Sequence, residues 1–313
     1  MSHQVFAEFE AYTDAIQDAD MRVTLTRAPE RPLWSIRHLQ IDSLHIQTGS
    51  DGSGNIAEGA TRRDGWTLVW QTRTRGAYLA NGELLTRDSM LVLSPGAEFH
   101  LACGSVHDWI SAFVPTASLF PPANAERPCS SRVGRIVCPG HELTNRLQTT
   151  IDTFMAAAEL DRSVTAEPAS VSSFREVLCC IAQRIIRGPV LSVEAEGRSI
   201  DRHHLVSQAL NLIEQWPHMS PTVRELARGV GVSERTLRSA FADCLGTSPY
   251  QYLVARRMSR ARQLLLDNDR NELSVRSAAA KVGFWDVGRF AGKYRRLFAE
   301  LPSETVRRKR TGA

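Results

Sequence analysis

No stretch of this chain approaches the ~18 consecutive apolar residues that a membrane-spanning helix requires. The first twenty residues carry Glu8, Glu10, Asp14, Asp18 and Asp20, so they lack the basic start and apolar centre of a secretory leader. Cysteine is sparse. The six residues, Cys103, Cys129, Cys138, Cys179, Cys180 and Cys244, form no Cys-x-x-Cys pair, which argues against a disulfide frame or a zinc site. They read as packing thiols of a reducing compartment. These absences predict a cytoplasmic protein with no membrane partner. What is present is 313 residues, 42% hydrophobic and 23% charged, the balance of a globular chain long enough for two domains.

Charge is unevenly distributed. Residues 1–197 hold 17 Lys/Arg against 23 Asp/Glu, whereas residues 198–313 hold 21 against 11. A short segment with ten excess positive charges suits an anionic polymer, although a solvated basic surface has the same composition.

From Trp34 to Val114, short apolar runs alternate with turn residues. Leu39–Ile46, Gly65–Trp70 and Ser89–Leu93 are such runs. Asp51-Gly52, Ser53-Gly54, Asn81-Gly82, Pro95-Gly96 and Cys103-Gly104 stand between runs of this kind. Asn-Gly tolerates the positive φ of a type I′ turn and is a strong hairpin signal. The spacing predicts an antiparallel sandwich or barrel. Beyond a Pro-rich loop at 121–128, Leu143, Leu147, Ile151, Phe154 and Ala158 recur at helical spacing, as do Phe174, Leu178, Ile181 and Ile185 after Pro168. Two such helices either cover the sheet or pair with a second subunit.

From Ser199 the pattern is helical, beginning with a stripe of Val206, Ala209, Leu210, Ile213 and Trp216 that stops at Pro217. An internal repeat follows. Thr222, Val223, Ala227 and Gly231 match Ser274, Val275, Ala279 and Gly283 at an offset of 52, and Phe241, Leu245 and Pro249 match Tyr294, Phe298 and Pro302 at 53. Thr222 and Ser274 suit N-caps, the alanines a close helix crossing, and the glycines a left-handed helix end. Ser233 caps the next helix, whose inward stripe is Leu237, Ala240, Phe241, Cys244 and Leu245; the second copy offers Phe290, Ala291, Tyr294, Leu297 and Phe298. This is the pattern of a helix-turn-helix unit, present twice. Pro249–Leu266 between them predicts a connecting helix ~27 Å long, with Tyr250, Val254, Met258, Ala261 and Leu265 inward.

The outward faces define the candidate reading residues: Ser233, Glu234, Arg235, Arg238 and Ser239 in the first unit, and Asp286, Arg289, Lys293 and Arg296 in the second. Arg on such a helix can fork onto guanine in the major groove. Thr222, Arg256, Arg260 and Ser274 are candidates for phosphate, and the tail Arg307–Arg310 for phosphate or solvent.

Val232-Ser-Glu-Arg-Thr-Leu237, Leu245-Gly-Thr-Ser-Pro249 with Tyr252 and Arg257, the block Gly283–Phe298 and Leu301-Pro-Ser-Glu-Thr305 resemble the AraC family of bacterial transcription regulators over about residues 201–306. Trp285 departs from the commoner pattern, which has a small residue there; Gly-Phe-Trp is similar to the subgroup that includes the ethanolamine-utilisation regulator. The resemblance implies an α+β protein of two domains. An N-terminal cupin-like antiparallel β domain with two trailing helices (1–190) would sense a small-molecule effector and dimerise. A linker (191–200) would lead to an all-α domain (201–313), whose two helix-turn-helix units are joined by a long helix and bind double-stranded promoter DNA. It also implies an activator, a homodimer and RNA polymerase as partner, with no cofactor.

Trp34, Trp66, Trp70, Trp109 and His100 are the candidate effector contacts, since a small-molecule pocket wants aromatic walls and a few polar groups; core packing explains the tryptophans equally well. A metal-binding cupin would need His-x-His and an acidic ligand on an early strand. His38, His45, His100 and His107 stand singly, so no metal site is expected. A repair methyltransferase would need a Pro-Cys-His-type motif, which Pro128-Cys129-Ser130 and Cys138-Pro139 do not supply. A metal cupin enzyme, a repair enzyme and a constitutive DNA-bound scaffold are the competing readings.

Overall fold

The computed structural model describes residues 1–31, 33–121, 131–189, 196–216, 221–267 and 273–311, with backbone alone at 196–201 and 309–311. Pro122–Pro128, Cys129, Ser130, residues 191–195 of the expected linker, Pro217 and the Arg310 side chain therefore lie outside the described residues.

The chain opens with β1 (Ser2–Phe6), α1 (Phe9–Ala15) and β2 (Ala19–Leu25). Then come β3 (Trp34–Ile41), β4 (Leu44–Asp51), β5 (Asn55–Thr61), β6 (Gly65–Thr74), β7 (Tyr78–Ala80), β8 (Glu83–Leu84), β9 (Met90–Leu93), β10 (Glu98–Cys103) and β11 (His107–Pro115). A one-turn helix α2 (Thr116–Leu119) and β12 (Arg135–Val137) precede α3 (His141–Leu160) and α4 (Pro168–Ile186). The strands form two antiparallel sheets, ordered β1-β3-β4-β11-β6-β9-β12 and β2-β5-β10-β7-β8. The Asn81-Gly82 turn joins β7 to β8 with both residues at positive φ, 53° and 87°, as the hairpin signal predicts. The run Leu39–Ile46 is two strands rather than one. Asp42, at φ 51°, turns the chain between β3 and β4 inside it.

Period-2 alternation gives each sheet two faces. On the larger sheet, Leu39, Ile46, Trp66, Leu68, Trp70 and Ile110 meet Leu147, Ile151, Phe174, Leu178 and Ile185 of α3 and α4 in one buried cluster. The two helices thus cover the sheet. The opposite face looks across to the smaller sheet, and Val69, Tyr78, Leu91 and Phe99 fill the space between. The outer face of the smaller sheet carries Ile56 and Ala102, which join the core of the helical half.

That half comprises α5 (Glu196–Gln215), α6 (Val223–Gly229), α7 (Glu234–Leu245), α8 (Pro249–Leu266), α9 (Val275–Lys281), α10 (Val287–Phe298) and α11 (Pro302–Thr311). The last five residues of the expected linker are helical, because α5 starts at Glu196. Both repeats fold as the pairing predicts. Ala227 and Ala279 are buried, and Gly231 and Gly283 have φ of 72° and 80° at the ends of α6 and α9. In α8, Tyr252 rather than Tyr250 is the buried aromatic; Tyr250 is half exposed.

Candidate nucleic-acid interface

Each unit sets its second helix by a side-chain cap. In α6, Thr222 Oγ1 accepts from Glu225 N–H at 3.2 Å, and the Glu225 carboxylate accepts from Thr222 N–H at 2.7 Å, a reciprocal box. Ser274 caps α9, accepting from Ser277 N–H at 3.1 Å. For the helices that follow the turns, Ser233 accepts from Thr236 N–H at 3.1 Å and Asp286 from Arg289 N–H at 2.9 Å. Ser233 and Asp286 thus hold helix starts. Inward, Leu237, Ala240, Phe241, Cys244 and Leu245 of α7 and Phe290, Tyr294, Leu297 and Phe298 of α10 are buried as expected, while Ala291 is half-buried.

Outward, Arg235, Arg238, Ser239, Arg289 and Arg296 are exposed. Glu234 pairs with Arg238 at 3.0 Å and Asp286 with Arg289 at 3.3 Å, yet the two arginine side chains keep 58% and 84% of their surface in solvent. Such exposed pairs cost little to break. Lys293 is half-buried, with Nζ 3.2 Å from Tyr250 OH and 5.3 Å from that ring's centre. The 18-residue α8, ~27 Å long, separates the two units.

Two of the expected phosphate contacts are held differently. Arg260 is exposed, but Arg256 turns to the β half. It lies 3.6 Å from Glu58 and against Glu214, and it donates to Tyr252 OH at 3.5 Å. The reason is burial: Glu58, on the outer face of β5, is enclosed by the helical half and needs cationic and hydrogen-bond partners. Tyr252 OH supplies one at 2.6 Å. In the tail, Arg308 joins Glu8 at 2.7 Å and Glu300 at 2.9 Å.

Sequence reading missed the largest charged cluster. Arg262, buried on α8, meets Glu8 at 2.6 Å, Glu10 at 3.0 Å and Glu300, and donates to Tyr294 OH at 3.4 Å. Burial alone would lower its pKa, but Glu10, Tyr294 and Glu300 outweigh it and keep the guanidinium charged. A signal existed: position 262 shares the inward stripe of Met258, Ala261 and Leu265, where an arginine demands buried acids.

The expected effector contacts scatter. Trp66 and Trp70 point to the α3–α4 layer. Trp34 packs on Phe9, with ring centres 5.7 Å apart. His100 faces His203 of α5, its Nδ1 3.1 Å from that of His203. Trp109 alone of the five lines the space between the sheets, a cavity of about 70 Å³ shared with Asp51, Gln47, Tyr78 and His107. There Asp51 accepts from Trp109 Nε1, Tyr12 OH and Asn55 Nδ2, each at 2.8 Å, and lies 3.4 Å from His107 Nε2. Burial raises the Asp51 pKa despite these partners. For His107, burial pulls down, but Asp51 and Cys103 outweigh it and the value rises to about 9.

His38 and His45 do not stand singly. Their ring nitrogens are 3.1 Å apart, and His45 Nδ1 meets Asp18. The two alternate from facing strands toward the same side, which spacing along one strand could not reveal. Among the described residues no group of three His, Cys, Asp or Glu side chains could hold a metal ion. No described helix is long and apolar enough to cross a membrane. The five described cysteines are free thiols.

Paired capped helices with exposed arginines on the basic half are the geometry of a tandem helix-turn-helix module. A helix-turn-helix domain family matches residues 226–308. The probable thc operon regulatory protein of Rhodococcus erythropolis is 41% identical over 103 residues, 33% of this chain and 31% of that protein. The XylDLEGF operon transcriptional activator 2 of Pseudomonas putida is 30% identical over 126 residues, 40% of this chain and 80% of that protein. A solved structure of a probable AraC family regulator from Rhodopseudomonas palustris is 34% identical across 34% of this chain and 97% of its own, with a TM-score of 0.32. The chain belongs to the AraC family of transcriptional regulators. The chain covers 31% of the length of the first of these curated relatives, and the domain-family match at residues 226–308 lies in the helical half.

Proposed function

We propose that this regulator reads promoter DNA with α7 and α10 of one helical domain, residues 201–313, and activates transcription with RNA polymerase in response to a small molecule sensed by residues 1–190. The observation that carries the reading is the pair Arg238 and Arg289: each keeps most of its side chain in solvent on the capped second helix of its own unit. A spacer of ~27 Å suits successive major grooves, about 34 Å apart along one face of the duplex. Ser233, Glu234, Arg235, Ser239, Asp286, Lys293 and Arg296 complete the base-reading set, and Thr222, Ser274 and Arg260 hold phosphate. A cytoplasmic homodimer, paired through the outer faces of α3 and α4, would double the site.

The effector would enter between the sheets, beside Trp109, Asp51 and His107. The cavity there, about 70 Å³, is far below the roughly 300 Å³ of an ordinary small-molecule site. Effector binding therefore parts the sheets or displaces side chains, and this motion reaches the helical half through the contacts of Ile56, Glu58, His100 and Ala102. No cofactor enters the mechanism, which is a shift between docked and DNA-reading arrangements.

The test is selection of bound duplexes from a random pool by the full chain, then footprinting of the selected site with and without cell metabolites. A conserved two-part motif with metabolite-dependent protection is expected. An unchanging footprint would mean a constitutive scaffold, and no selected motif would overturn the reading.

A further inference from the structure

Trp285 is placed unlike the four tryptophans of the β half. It is 86% exposed, whereas Trp34, Trp66, Trp70 and Trp109 are buried. The residue before it behaves normally: Phe284 packs toward Phe290, ring centres 5.7 Å apart, with the Arg257 guanidinium 5.1 Å from its centre. The turn between α9 and α10 thus uses one aromatic side chain to hold itself together and presents the next to solvent. An indole buries more apolar area than almost any side chain, and this one buries little of it.

Its position says what covers it. Trp285 immediately precedes Asp286, the N-cap of α10, and Arg289 stands one turn further on with 84% of its side chain in solvent. The N-terminal end of the second helix is the end of a helix-turn-helix unit that meets base edges. In the major groove, the apolar group that a base edge offers is the thymine C5-methyl. Apart from its single Nε1–H donor the indole is apolar, so its broad face suits a methyl group rather than a phosphate.

We propose that Trp285 is a specificity-determining residue that packs its indole on the methyl group of a thymine beside the base read by Arg289. The proposal rests on the DNA-reading role of α10 given above. It adds a contact that hydrogen-bonding residues do not make, so the operator half-site read by the second unit contains a thymine at a fixed place.

The experiment uses the full chain and the duplex found by selection, with each thymine replaced in turn by deoxyuridine, which lacks only the methyl. For the unsubstituted protein, one replacement in the half-site should weaken binding about fourfold, the worth of one buried methyl group. For Trp285→Ala that replacement should make no difference, because the partner is already gone. Trp285→Phe should keep part of the discrimination, and Arg289→Ala should keep all of it while losing affinity. The proposal is overturned if Trp285→Ala still senses the methyl, if no deoxyuridine matters, or if Trp285→Ala binds DNA as tightly as the unsubstituted protein. The last result, with a changed oligomeric state, would assign the indole to a second copy of the chain. Failure to select any motif would sink the DNA-reading role of α10 itself, a different outcome from a motif without a methyl-sensitive thymine.

Discussion

His100 on β10 and His203 on α5 meet across the boundary between the two halves, Nδ1 to Nδ1 at 3.1 Å and ring centres 4.5 Å apart. At that distance one Nδ1 donates and the other accepts, so the accepting imidazole is neutral. Ser207 Oγ lies 3.5 Å from His100 Nε2, and Glu58 is the cross-strand neighbour of His100 in the register of β5 and β10. Burial, then the His203 charge, pushes His100 well below its usual range; burial, then His204, takes His203 to about 4.

Acid should loosen the contact. A histidine held below its ordinary 6.5 stabilises the docked arrangement fully above that value and loses the contribution as pH falls toward the depressed one. Glu58, raised by burial, acts in the opposite sense, losing its contribution as pH rises through its folded value; burial likewise raises Tyr252 beside it. Urea unfolding at about pH 7.5 and about pH 5 should show a loss of stability that the double variant His100→Asn, His203→Asn largely abolishes. Equal pH dependence in both proteins would remove the pair from the explanation.

Arg262→Met should be among the most damaging substitutions in the helical half. It leaves Glu10 without its cation and Glu8 and Glu300 with Arg308 alone, and breaking a buried pair of this kind costs about 3–5 kcal/mol. Adding Glu8→Gln and Glu10→Gln to that variant should recover much of the loss. Denaturant midpoints measure both, and a loss no larger than that of an exposed arginine would contradict the reading.

Arg289→Ala and Arg260→Ala should weaken DNA binding in different ways. The first should relax preference at one base pair by about 1–3 kcal/mol; the second should lower affinity for selected and random duplexes alike and reduce the salt slope by about one. Titrations against both duplexes at several salt concentrations decide it. An equal loss on both for Arg289→Ala removes base reading from that residue.

Gly49→Ala should disturb the space between the sheets. A methyl there would lie 2.2 Å from the Trp109 indole, so the ring must move and Asp51 loses a donor. Overpacking of this order costs about 1–3 kcal/mol. A lower melting temperature with a red-shifted tryptophan emission is expected; an unchanged melting temperature would show that the indole yields freely.

The sequence by itself determined the parts that depend on near neighbours. A hydroxyl at Thr222 or Ser274 reaches an amide three residues on, and a glycine at 231, 283 or 82 can take a positive φ without steric cost, so the twin units and the β7–β8 hairpin were legible before any coordinates. The stripes of α3, α4, α7 and α10 were legible for the same reason, since helical period alone tells which side must be covered. Only the tertiary structure decided which surface does the covering. Alternation says that β6 and β11 have two faces, but not that Trp66 and Trp70 look to α3 and α4 while Trp109 looks between the sheets. Nor does local pattern announce that Tyr252 will find Glu58, Arg262 will find Glu8, or His100 will find His203. Those partners are a hundred or more residues apart, and their pairing is set by the burial that follows when the two halves dock, which makes an unpartnered charge too costly to leave.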